Sequence, residues 1–155
     1  MDKLIYCGEP WPSLNVILGW RNPGKRAGWS AKFRRTVGPL LLEAGIVPPG
    51  DLKTMKAVMR LYRCTGKELD HDNLWGGASA VVNALKCKPI SRHVPDERTW
   101  GLYFDDAPTW LELHVAQIKA CPDDRPGTYM NIEWKALTTR STIQSIDSIP
   151  GPTIR

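Results

Sequence analysis

The sequence predicts an α+β fold in a single domain, a small sheet packed with two main helices, and three observations carry that prediction. A chain of 155 residues with 42% hydrophobic and 24% charged side chains suits one compact domain with a sizeable core. Two stretches, around residues 30–44 and 72–85, repeat apolar residues at helical spacing. Others, at residues 56–64, 110–119 and 128–134, alternate apolar and polar residues as half-buried strands do. The same composition excludes a disordered or fibrous chain.

Taken in order, residues 3–15 read as a strand that runs into the proline-punctuated turn Glu9-Pro10-Trp11-Pro12-Ser13-Leu14-Asn15. A Gly/Pro/basic loop follows, through Asn22-Pro23-Gly24-Lys25-Arg26. Ser30 is placed to cap a helix in which Phe33, Val37, Leu41 and Ala44 share a stripe, with Gly45 as a natural stop and Pro39 expected to kink or shorten it. After Pro48-Pro49-Gly50, the alternation of residues 56–64 puts Ala57, Met59 and Leu61 on one strand face. Asp72 is placed to cap a second helix, whose Leu74, Ala78, Val81, Val82 and Leu85 form one buried stripe. Residues 87–103 form a loop rich in Pro, Arg and Lys. The turn formers between the last two strands, residues 121–127, make an antiparallel hairpin the simplest connection. The chain divides into a domain over residues 1–135 and a polar, loosely ordered tail over residues 136–155.

Charge is unevenly distributed. The 21 Lys and Arg against 16 Asp and Glu give a net +5, yet residues 1–60 carry +6 and the remainder −1. The excess is densest at Arg21, Lys25, Arg26, Lys32, Arg34 and Arg35, with no acidic residue among them. Such a run is either a solvated basic face or a surface that neutralises phosphates, with affinity that falls as salt rises. Trp11, Trp20 and Trp29, three of seven tryptophans, interleave this segment, where indoles either stack on exposed bases or cover the edge of the core. Cys7, Cys64, Cys87 and Cys121 show no C-x-x-C pair and are expected to be reduced and mostly buried. No apolar run reaches the ~18 to 20 residues of a membrane span, and the first residues carry no export signal. A cytoplasmic address, without a membrane partner or a small-molecule cofactor, is expected.

Two acidic clusters stand out, Asp70-His71-Asp72-Asn73 and Asp105-Asp106. In extended backbone Asp70 and Asp72 project to the same side. Together with Asp106 and Asp105 they offer three or four hard oxygen ligands of the type Mg²⁺ and Mn²⁺ prefer. A bound metal would also offset the repulsion between a carboxylate cluster and a DNA phosphate. The plainer reading is a helix cap and a turn, with Asn73 either capping or contacting phosphate. Gly76-Gly77 is costly inside a helix, at ~1 kcal/mol per Gly relative to Ala, and requires a reason such as close backbone approach to a partner.

The order of these elements resembles the RusA family of Holliday-junction resolvases. The resemblance covers residues 10–134 and is strongest where D-x-D-N-L opens the second helix, with Asn83-Ala84-Leu85 at its end and Asp105-Asp106 beyond. It implies a small mixed sheet and a homodimer that cuts four-way DNA junctions with a divalent metal, Mg²⁺ or alternatively Mn²⁺. It assigns catalysis and metal binding to Asp70, Asp72 and Asp106, with Asp105 beside them. In that setting the basic residues Arg21, Lys25, Arg26, Lys32, Arg34 and Arg35, with Asn73, hold the DNA. The sequence departs from the family at Gly76, where a lysine is usual one turn after the second aspartate. Lys86, the next lysine on that face, lies ~15 Å further along the helix, too far to substitute directly. A junction-binding protein of the same fold with impaired catalysis is the alternative.

Overall fold

The computed structural model describes residues 3–87 and 101–138. Its elements are β1 (Ile5–Tyr6), α1 (Leu14–Gly19), α2 (Pro23–Glu43), β2 (Met55–Cys64), α3 (His71–Leu85), β3 (Leu111–Ile118) and β4 (Gly127–Ala136). They form an α+β fold around a four-stranded mixed sheet of order β1-β4-β2-β3. β2 pairs in parallel with β3, from Ala57 opposite Leu111 to Cys64 opposite Ile118. On its other side β2 runs antiparallel to β4, from Met55 opposite Ala136 to Cys64 opposite Gly127.

The hairpin expected over residues 110–134 does not form. Both strands pair with β2 instead, one on each side. Parallel pairing of β2 and β3 requires a crossover, and α3 supplies it. The chain then passes over the end of β2, because β3 finishes and β4 starts beside Cys64. A disulfide between Cys64 and Cys121 ties that passage to the strand it crosses. This corrects the expectation of four reduced cysteines, since the pairing joins residues 57 apart and follows from topology rather than from any local motif. Cys7 is a buried thiol, and burial pushes its pKa up to about 12.

The N-terminal elements also differ from expectation. Only Ile5–Tyr6 of residues 3–15 is strand, and Leu14–Gly19 is a short helix capped by Ser13, whose hydroxyl accepts from the Val16 amide. α2 starts at Pro23, seven residues before the expected cap at Ser30. Asn22 caps it through a 2.8 Å bond from the Gly24 amide, and Pro23 occupies the first turn, where its missing N–H costs nothing. Lys25 and Arg26 are therefore helical. Pro39 lies inside α2, which continues to Glu43.

The stripes anticipated for the two long helices are buried. Phe33, Val37 and Leu41 of α2 join Leu74, Ala78, Val81, Val82 and Leu85 of α3 in one core with Trp11, Met59, Leu61 and Met130. Gly76 and Gly77 also find their reason there. A Cβ on Gly77 would lie 2.1 Å from the Pro12 carbonyl oxygen, and one on Gly76 would lie 2.7 Å from Leu14 Cβ. The close partner is the chain's own turn at residues 12–14. Trp11 completes the contact, with its indole N–H donating to the Leu74 carbonyl at 3.2 Å.

Among the described residues no helix is long and apolar enough to cross a membrane. β4 takes in Ala136, the first residue assigned to the tail. The rest of the tail from residue 139, and residues 88–100 of the long loop, lie outside the described residues.

Candidate functional site

The D-x-D-N motif opens α3. Asp70 is the N-cap, with Oδ1 accepting from the Asn73 amide at 2.9 Å and Oδ2 from the Asn73 side-chain Nδ2 at 2.8 Å. These two bonds hold the Asp70 carboxyl below the usual carboxylate range. Asn73 Oδ1 in turn accepts from the Asn15 amide at 3.1 Å. Asn73 thus couples the start of α1 to the cap of α3. Its side-chain oxygen and one amide hydrogen are thereby held within the fold. Asp72 lies in the first helical turn with its side chain 94% exposed, 3.5 Å from His71 Nδ1. Because Asp72 is helical rather than extended, a two-residue step turns it roughly 200° about the axis, so the side-by-side placement expected of Asp70 and Asp72 does not hold.

Asp105 and Asp106 meet the other end of the same helix. Lys86 is the C-cap residue of α3, and its Nζ lies 2.7 Å from Asp105 Oδ1 and 2.9 Å from Asp106 Oδ1. Asp105 Oδ1 also accepts from the Asp106 amide at 2.9 Å. The ammonium pulls the Asp105 carboxyl below its ordinary range, and the two carboxylates push the Lys86 pKa up. Lys86 is indeed remote from Asp72. Its partners come instead from the segment that precedes β3, a placement that distance along α3 alone does not reveal.

The last turn of α3 is held from inside. Arg34 Nη1 donates to the Ala84 carbonyl at 2.5 Å and to the Lys86 carbonyl at 3.0 Å, and the Tyr103 hydroxyl donates to the Val82 carbonyl. Arg34 is only 6% exposed. It satisfies carbonyls that the helix end would otherwise leave unpartnered, so its assignment to a phosphate-binding surface is corrected. The other five basic residues, Arg21, Lys25, Arg26, Lys32 and Arg35, are exposed along α2 and just before it. Trp11 is fully buried, which removes it as a base-stacking platform, and Trp29 stacks on Phe33 with ring centres 5.1 Å apart.

Between α3 and β3 runs a groove of about 240 Å³. Trp75, Ser79, Val82 and Asn83 line it from the helix and Leu111 and Leu113 from the strand, with Asp106 contributing a carboxylate. The acidic residues have the right donor chemistry for a hard divalent cation, but their placement does not fit one. Asp70 caps the start of α3 with Asp72 exposed in its first turn, Asp105 and Asp106 are clasped at its end, and fifteen helical residues span ~22 Å. Among the described residues no three His, Cys, Asp or Glu side chains converge on one point.

No protein-family model, curated protein or solved structure matches the chain. The tie between Asp70 and Asn73 makes a direct prediction: Asn73→Ala raises the Asp70 titration midpoint toward the ordinary carboxylate value, as followed by carboxyl-carbon NMR. A depressed folded-state pKa contributes stability above the unfolded pKa that is lost as pH falls through the folded one. The variant therefore loses less stability than the parent across that acid window.

Proposed function

We propose that the chain is a cytoplasmic, homodimeric, RusA-like endonuclease that resolves four-way DNA junctions by phosphodiester hydrolysis with Mg²⁺ or Mn²⁺. The observation that carries this reading is the use of α3, with an exposed D-x-D-N at its start and a groove along its flank into which Asp106 contributes. In this reading Asp70, Asp72 and Asp106 are the catalytic carboxylates, although the described arrangement holds them at opposite ends of α3 rather than around one point. Arg21, Lys25, Arg26, Lys32 and Arg35 grip the phosphates, which a bare acidic cluster would repel. A two-fold dimer suits a substrate that is itself nearly two-fold symmetric.

The test is nicking of a labelled synthetic junction in Mg²⁺. Asp72→Asn is expected to abolish cutting, with binding retained or tightened through reduced repulsion of the phosphates. Unchanged cutting by that variant sinks the assignment.

A second reading has a specific observation in its favour. Lys86 occupies Asp105 and Asp106, and the two acidic pairs stay apart, as expected of a junction-binding protein that does not turn over. Binding of the junction without nicking at any concentration of Mg²⁺ or Mn²⁺ selects this reading over the first.

A further inference from the structure

We propose that the Cys64–Cys121 disulfide is a reversible redox latch on the entry to α3: oxidised, it locks the passage between β3 and β4 against the stretch that leads to the Asp70 cap, and a dithiol reductant opens it. The latch rests on the functional reading above only in taking the D-x-D-N cap as part of the site. Cys64 ends β2, and residues 65–69 run from it to Asp70. Three residues at alternate positions, Gln117, Lys119 and Cys121, hold that connection from the side of β3. The Gln117 side chain accepts from the Leu69 amide at 2.9 Å and donates to the Leu69 carbonyl at 2.6 Å. Lys119 Nζ lies 2.9 Å from Glu68 Oε2 in an exposed pair, which holds weakly. Cys121 is bonded to Cys64.

Of these three ties only the disulfide answers to a reductant. Cys64 is fully buried while Cys121 is half-buried, so a reductant reaches the Cys121 sulfur. The turn next to it is strained, since Asp123 and Asp124 take successive left-handed φ values of 54° and 51°. Such backbone persists where its surroundings over-determine it. Here Cys121 holds one side, and on the other the Tyr129 hydroxyl donates to the Arg125 carbonyl at 2.7 Å. Opening the disulfide frees the first of these holds. In a cytoplasm, where thiols are kept reduced, the disulfides that do form are mostly transient ones that exchange or sense.

The exchange balances with a dithiol as the co-reactant. One of its thiolates attacks the Cys121 sulfur, the protein S–S bond breaks, and Cys64 leaves as a thiolate that takes a proton. The second thiolate then displaces Cys121 from the mixed disulfide, and Cys121 takes the other proton. The dithiol closes its own disulfide, having given two electrons to the protein.

The experiment follows amide hydrogen exchange of the full chain by NMR, without DNA, in buffers of graded reduced-to-oxidised dithiothreitol. Peptide mapping of the oxidised chain should find Cys64 paired with Cys121. On reduction the amides of Leu69 and Asn73, which bond to Gln117 and Asp70, should exchange about tenfold faster or more, with no dependence on dilute urea, as local opening requires. Val81, in the buried stripe of α3, should exchange more slowly than either and speed up with urea, as global unfolding does. Reoxidation should restore the slow rates and the same pairing. Cys121→Ser should exchange fast in either buffer, and Cys121→Ala repeats the test should the serine variant fail to fold.

Unchanged exchange at Leu69 and Asn73 on reduction overturns the proposal. So does a rise at both that carries the urea dependence of Val81, because the bond is then a brace of the whole fold. An oxidised chain without the Cys64–Cys121 pair overturns it as well. Junction cutting is scored separately. A protein that never cuts overturns the nuclease reading while leaving the exchange comparison intact, whereas cutting with exchange that ignores reduction overturns only the latch.

Discussion

Gly77→Ala is expected to destabilise the protein by about 2–4 kcal/mol, at or beyond the upper end of what overpacking a core costs. The same change in an exposed helix interior would stabilise it by ~1 kcal/mol. The sign reverses because the added methyl has nowhere to go. It would lie 2.1 Å from the Pro12 carbonyl oxygen and 2.8 Å from Trp11 Cδ1. The first obstacle is backbone and the second is a fully buried indole anchored to the Leu74 carbonyl. Neither gives way by rotating a side chain, so α3 and the turn at residues 11–14 must separate. That separation also strains the Asn15-to-Asn73 bond and hence the cap at Asp70. Gly28 provides the control, since a Cβ there meets nothing within 4 Å, and Gly28→Ala should gain about 0.5–1 kcal/mol. Urea unfolding of the two variants checks both signs. A neutral Gly77→Ala would show that the glycine pair serves something other than this internal contact.

The helical stripes were legible because they depend on one property repeated locally. Leu74, Ala78, Val81, Val82 and Leu85 state the buried face of α3 in the sequence itself, and the structure buries all five. Strand partners were not legible in the same way. Residues 111–118 and 127–136 alternate as strands whichever neighbour they pair with, and turn formers between them fit a hairpin and a passage over β2 equally well. What decides is α3, which returns the chain to the start of the sheet and so makes β3 parallel to β2. The strand-helix-strand order was present in the sequence and is the signal that points to this pairing. The start of α2 was likewise written as Asn-Pro-Gly, a cap followed by a first-turn proline, but two glycines and three basic residues made it read as loop.

The candidate site divides along the same line. That Asp70 caps a helix follows from its neighbours, since the bonds it makes are to residue 73. That Lys86 reaches Asp105 and Asp106, far along the chain from it, follows only from the tertiary arrangement. Arg34 is the sharpest case, because its sequence context is five other basic residues and nothing in composition separates it from them. On α2, however, it is next to Phe33 and three residues before Val37, and it turns inward with that stripe.

Arg34→Met and Arg35→Met are therefore expected to give opposite results, although the two residues are adjacent and chemically identical. The first removes a guanidinium that serves the Ala84 and Lys86 carbonyls at the end of α3. Leaving buried acceptors without their donor costs the desolvation of each, and the expected loss is about 2–4 kcal/mol. The second removes an exposed charge, and its effect on stability should stay within about 0.5 kcal/mol. Binding to a DNA junction as a function of salt should reverse the order. Each phosphate contact contributes about one unit to the slope of log affinity against log salt, so Arg35→Met should make the slope shallower by about that amount. Arg34→Met, measured where it remains folded, should leave the slope unchanged. The reasoning turns on where a charge is accessible, since counterions are released only by cations that reach the phosphates. A slope altered by Arg34→Met and not by Arg35→Met would mean that the basic face used for DNA is not the exposed surface of α2.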